Sequence, residues 1–195
     1  MSLVEVVPYL NFWPTFFLHI KSEIELILTH VPYIEILHIG STAVPNLAAK
    51  PIIDINVIVT SENFDAAVDA FMTAGYERKG SLGVPDRMAF RWNRPLRYPR
   101  RNIYVILEGS IGERNNRIVR DVLREREELR EKYAQVKFEL AKRGITIDEY
   151  VIAKTDVIME ILEAGGMGEE DRNLCRQLGE GTVEGGGVMS PAELM

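Results

Sequence analysis

The spacing of apolar positions splits this chain into a first half of short strands between helices and a second half that is helical throughout. Pro14 suits the first turn of a helix, and Phe16, Phe17, Ile20, Ile24, Ile27 and Leu28 follow at helical spacing. The predicted helix ends near His30, before Pro32. Tyr33 to Ile39 reads as a strand, which Gly40 breaks. Pro51 to Val59 is nearly all apolar and rich in β-branched residues, the pattern of a central strand buried on both faces. Ser61 caps a predicted helix through Ala74, closed by Gly75. Met88 to Trp92 and Ile103 to Leu107 look like two further strands, and Gly109-Ser110 ends the second. Ile118 to Lys142 is long, charged and made of good helix formers, with Gly144 as its breaker. Thr146-Ile147-Asp148-Glu149 has capping-box form, and Ile147, Tyr150, Val151, Val157, Ile158 and Ile161 then make one apolar stripe. From Gly165 onward glycine is dense and apolar residues are sparse, so residues 165–195 read as a poorly ordered tail behind one domain, residues 1–164.

The length of 195 residues is enough for one real core. A composition of 46% hydrophobic and 27% charged residues is that of an ordinary globular protein. The single cysteine, Cys175, excludes a disulfide framework and fits a reducing compartment. The first cation is Lys21, so no basic leader precedes an apolar run, and no run reaches the ~18 residues that span a bilayer. The expectation is a cytoplasmic protein with no membrane partner. The net charge of −6 argues against general nucleic-acid coating but leaves local basic patches open. One such patch exists: from Glu77 to Arg101 there are eight cations and two acids, six of the cations being arginines between Arg87 and Arg101. Planar guanidinium groups suit phosphate oxygens.

The candidate chemistry lies in the stretch from His38 to Val57, HIGSTAVPNLAAKPIIDINV. Gly40-Ser41 forms a turn where backbone and hydroxyl can approach a phosphate. Asp54 stands inside the apolar strand, where a lone acid is costly unless something pairs with it. Alternation puts Asn56 on the face of Asp54, so the two can share an oxygen-seeking cation such as Mg²⁺. Glu108, at the end of the later strand, is a further candidate carboxylate. Arg87 and Arg91 are candidate phosphate contacts. Each of these residues also has a plain structural reading, as an ordinary turn, an Arg-paired acid or a solvated charge.

These residues carry a resemblance. The segment HIGSTAVPNLAAKPIIDINVIV closely resembles the signature of the GrpB family, and the likeness continues through GYERKGSLGVPDRMAFRW, NIYVILEGS, RIVRDVLREREELREKYAQVKFELA and YVIAKTDVIMEIL. It covers roughly Val4 to Ala164. GrpB proteins look like members of the nucleotidyltransferase superfamily. That implies an α+β fold, with a small mixed sheet flanked by helices and a helical C-terminal half. It further implies Gly-Ser at the nucleotide phosphates and three acids holding two Mg²⁺ ions for attack at the α-phosphorus. By position, Gly40 and Ser41 match the Gly-Ser element and Asp54 the first acid. The second acid position holds Asn56, and the later strand reads Asn102-Ile103-Tyr104-Val105 where the family commonly has His-Leu-His-Val.

Two functions stand side by side. In one, the chain binds a nucleoside triphosphate with Mg²⁺ at Asp54 and Asn56, with Glu108 assisting, and transfers a nucleoside monophosphate to an acceptor. In the other, the same cleft binds a nucleotide or phosphorylated metabolite without turnover. An RNA-binding role for the arginines ranks below both, because the chain is acidic and few aromatics interleave with them.

Overall fold

The computed structural model describes residues 5–92, 100–143 and 147–181. The alternation of short strands and helices builds a five-stranded mixed sheet in the order β1-β2-β5-β4-β3. The strands are β1 (Glu35–Ile39), β2 (Ile52–Val59), β3 (Tyr76–Gly80), β4 (Arg87–Trp92) and β5 (Arg100–Leu107). The central pair, β2 and β5, is parallel; the other pairs are antiparallel. β2 therefore has neighbours on both sides and layers on both faces, which is why it reads as a continuous apolar run.

One face is covered by α1 (Trp13–Ile27) and α2 (Phe64–Thr73). Ile20 and Ile24 from α1 and Ala67, Val68 and Phe71 from α2 pack there against Ile53, Ile55, Val57, Val59, Ile103 and Val105. His38 also points to this face: its ring stacks on Phe17 at 4.7 Å, and Nε2 meets Thr42 Oγ1 at 3.0 Å. Burial, and then Arg124 and Arg120, lower its pKa to about 3, so it is a neutral core histidine.

The opposite face, with Leu37, Ile39, Ile58 and Ile106 at its centre, belongs to the helical second half. That half comprises α3 (Ile111–Glu125), α4 (Glu127–Lys142), α5 (Ile147–Ile152), α6 (Thr155–Ala164) and α7 (Glu169–Glu180). The helix expected over 118–142 is two helices. Arg126 is extended, with φ −107° and ψ 102°. Arg124 turns at this corner to donate twice to the Ala43 carbonyl, at 2.9 and 2.7 Å. The corner lets α3 pack on the sheet while α4 crosses the loop between β1 and β2. Val44 and Leu47 of that loop are buried among Val122, Leu123, Leu129, Tyr133, Val157 and Ile161.

The expectation of disorder from Gly165 is corrected for residues 165–181. Gly165 is a packing glycine: a Cβ there would stand 2.3 Å from Ile118 Cγ2 and 2.9 Å from Val122 Cγ2. α7 follows, with Glu169, Glu170 and Asp171 in its first turn, where the helix dipole favours acids. Arg114 grips Asp171 through two bonds of 2.6 and 3.0 Å. Cys175 and Met167 are buried against Ile111 and Leu162. A few apolar contacts, the forked Arg114–Asp171 pair and the pairs of Arg172 with Glu163 and Arg176 with Asp156 on α6 dock a helix whose composition looks soluble and loose. Residues 182–195 lie outside the described residues. Among the described residues no helix is long and apolar enough to cross a membrane.

Candidate anion-binding cleft

The turn after β1 and the acid in β2 are built around each other. Gly40 has φ 68° and ψ −174°, a backbone region that is essentially glycine's alone. A Cβ at Gly40 would stand 2.5 Å from Asp54 Oδ2. Glycine is thus required twice, for the backbone and for the carboxylate it admits. Asp54 lies opposite Ile39 on β1 and Asn102 on β5, and Asn102 Nδ2 donates to its Oδ1 at 2.8 Å. Burial raises the Asp54 pKa from 3.8 to about 6, against the Asn102 hydrogen bond and the charges of Lys154 and Lys50.

Lys50 and Lys154 act on this carboxylate through their charge, and a third lysine, Lys137, holds the turn beside it. Lys50 lies two residues before β2, and Lys154 stands at the N-terminal end of α6. Their ammonium groups lie 4.8 Å and 4.4 Å from the centroid of one shared ring, that of Tyr150 on α5. Lys137 of α4 is 2% exposed. It donates to Ser41 Oγ at 3.0 Å and to the Ala48 carbonyl, and sits 4.5 Å over the Tyr133 ring. Desolvation lowers all three pKa values. Lys50 falls to about 8 with the Lys154 charge adding to burial, and Lys154 falls to about 8 with Asp54 opposing. Lys137 falls to about 6 through burial and then Lys154. Burial thus pushes Lys137 furthest toward its neutral amine, and Lys50 and Lys154 less far. Among the described residues no ion pair neutralises Lys50 or Lys154. The cleft is short of negative charge.

Residues 3–164 match the family described as "GrpB protein". The chain belongs to the GrpB family. Relatives include UPF0157 protein YqkA of Bacillus subtilis, 31% identical over 87% of this chain and 49% of that protein. UPF0157 protein SCO7215 of Streptomyces coelicolor is 36% identical over 68% of this chain and 69% of that one. The chain therefore spans about half the length of YqkA and about two thirds of SCO7215. The crystal structure of conserved protein GrpB from Enterococcus faecalis superposes with a TM-score of 0.71 at 30% identity, over 83% of this chain and 96% of that one.

Within this GrpB fold the expected site residues separate. Gly40, Ser41 and Asp54 come together. Asn56 shares the Asp54 face as alternation requires, but it is 0% exposed. Its Oδ1 accepts from Asn116 Nδ2 at 3.4 Å, and its Nδ2 has no hydrogen-bond partner among the described residues. Glu108 is not near them. It is exposed, six residues beyond the Asp54 partner Asn102, and the strand rise places it about 20 Å away along the sheet. Strand alternation gave its face but could not give this register. Arg87 is committed to its own chain: it donates to the Ser81 carbonyl at 3.1 and 2.8 Å and lies 4.7 Å over the Tyr104 ring. Arg91 is exposed and shares the Asp54 face. Ala89 pairs with Tyr104 and Phe90 with Ile103, so the register continues to set Arg91 beside Asn102. Arg94 and Arg97 lie outside the described residues.

This donor set does not fit a resident pair of Mg²⁺ ions. Among the described residues no three His, Cys, Asp or Glu side chains come together. Asp54 is the one carboxylate, with amides at Asn56 and Asn102 and a phenol at Tyr104 beside it. Two divalent ions next to two ammonium groups would leave their charge largely uncompensated. Sequence reasoning did not single out Lys137 or Lys154. One signal for Lys137 was present: it falls in the buried stripe of α4 with Leu129, Tyr133 and Leu140. A lysine at a core position asks for a partner.

Proposed function

We propose that this chain binds a phosphorylated small molecule, a nucleotide or phosphometabolite, through Lys50 and Lys154 beside Asp54, without needing a resident metal ion. The carrying observation is the pair of ammonium groups held on one Tyr150 ring with no ion pair among the described residues to neutralise them. A phosphate between them supplies that charge and forms charge-assisted hydrogen bonds worth more than neutral ones. Asp54 then keeps the free cleft from excess positive charge and offers an acceptor to a ligand hydroxyl or amine. Ser41 serves as a strut: its hydroxyl accepts from Lys137, which holds the Gly40-Ser41 turn on α4.

A second reading is transfer of a nucleoside monophosphate. It is favoured by Asp54 itself, a carboxylate kept at a half-buried strand position with a raised pKa. In that reading a Mg²⁺ arrives on the nucleotide phosphates, where one protein carboxylate suffices to touch it.

Thermal denaturation with ATP, GTP, CTP, UTP and inorganic phosphate, each with Mg²⁺ and with excess chelator, separates the two. A ligand at ~100 times its dissociation constant raises stability by ~2.7 kcal/mol. A shift that survives chelator and is lost in Lys154→Ala supports metal-independent binding. A shift that needs Mg²⁺ and Asp54 supports the transfer reading. No shift with any of them refutes the anion cleft.

A further inference from the structure

The cleft has a second cationic arm. The sheet register pairs Ile39 with Asp54, Asp54 with Asn102 and Arg91 with Glu77, and the β4–β5 register continued one step beyond Phe90 and Ile103 sets Arg91 beside Asn102, on the face away from α1 and α2. Arg91 is therefore two strand spacings from Asp54, about 10 Å. It is exposed, and no ion pair holds it among the described residues. Arg100 lies on the same face of β5, two residues before Asn102, and its charge reaches Lys50. The carboxylate opposite Arg91 is Glu77, which already has Lys79 at 3.9 Å. Lys50 and Lys154 act on Asp54 from beside the Tyr150 ring, and Arg91 stands across the sheet from the same Asp54. Asp54 and Asn102 lie between them as hydrogen-bonding groups.

Resting on the anion-binding reading above, we propose that the natural ligand carries two anionic groups at its two ends, one taken by Lys50 and Lys154 and the other by Arg91. The uncharged middle of such a molecule lies over Asp54 and Asn102. Sugar bisphosphates and nucleoside bisphosphates have this form; inorganic phosphate and monophosphates fill only the inner arm. Arg91 is then a specificity residue, adding affinity for the far anion and none for the near one.

The test is isothermal titration calorimetry on the full chain with matched pairs: fructose 6-phosphate against fructose 1,6-bisphosphate, and adenosine 5′-monophosphate against adenosine 3′,5′-bisphosphate. The expected result is at least tenfold tighter binding of the bisphosphate in one pair. Arg91→Ala should abolish that advantage while leaving the monophosphate constant unchanged. Lys154→Ala should weaken both members together. Arg91 is a surface residue, so its variant is expected to melt with the native chain. Equal affinity within both pairs, or an Arg91→Ala loss shared equally by mono- and bisphosphate, overturns the two-anion proposal and leaves the inner site standing. Binding of none of the four by the native chain overturns both readings.

Discussion

Asp54→Asn should make the free protein more stable at neutral pH. The carboxyl titrates at 3.8 in ordinary surroundings and near 6 in the folded cleft, because burial disfavours its charged form more than Asn102, Lys154 and Lys50 favour it. Well below pH 3.8 the group is protonated in both states and contributes nothing. As pH rises through 3.8 the unfolded chain ionises first, so the native state loses relative stability until about pH 6 and the loss is then constant. The difference between 3.8 and about 6 corresponds to about 3 kcal/mol. Asparagine is close to isosteric and still offers Asn102 an acceptor, so the substitution removes the charge and little else. Urea denaturation of both proteins from pH 4 to 7 gives the difference curve. It should start small and grow in favour of the variant to a plateau above pH 6. A difference flat in pH, or a variant less stable at pH 7 than at pH 4 relative to the native chain, would refute the placement of this carboxylate. Stabilisation combined with loss of ligand-induced melting shifts is the pattern of a residue retained for binding.

Three further substitutions test the surrounding geometry. Gly40→Ala forces an alanine into a glycine-only backbone region and a Cβ onto Asp54 Oδ2; a loss of roughly 2–4 kcal/mol in urea denaturation is expected, and a neutral result would show that the turn moves freely. Gly165→Ala drives a methyl group into Ile118 and Val122, and overpacking of this kind costs roughly 1–3 kcal/mol; an unchanged urea midpoint would refute the close α3–α6 approach. Lys137 is neutral in the fold above about pH 6 but protonated in the unfolded chain up to about 10.5. The folded state binds fewer protons in that window, so native stability gains up to about 1.4 kcal/mol per pH unit from this group between pH 6 and 8. Lys137→Met should flatten that rise, and a profile as steep as the native one would refute the burial of the amine.

Local composition was enough for the strands β1, β2, β4 and β5, since each has an apolar run bounded by a turn signal, and alternation alone put Asn56 on the Asp54 face. It missed β3, whose Glu77, Arg78 and Lys79 look like loop until Tyr76 and the pairing with β4 are seen. It could not find the corner at Arg126, because no glycine or proline marks it; the Ala43 carbonyl that Arg124 caps is 81 residues away in sequence. It read α7 as loose because a helix docked by ion pairs to α3 and α6 and a few side chains needs little hydrophobicity of its own.

What the sequence determined was the family, the mixed sheet between helices, and the Gly40–Asp54 pair, where a glycine and an acid are required by contacts that span only a turn and one strand. What tertiary structure decided was the chemistry of the cleft. Lys50, Lys137 and Lys154 are scattered over 105 positions of the chain, and only the crossing of α4 and α6 over the β1–β2 loop brings them to Asp54. Parallel pairing of β2 with β5 carried Glu108 to the far end of the sheet and set Asn102 beside Asp54 instead. Charge acts through space and strand register is a long-range property, so neither could be read from neighbours along the chain.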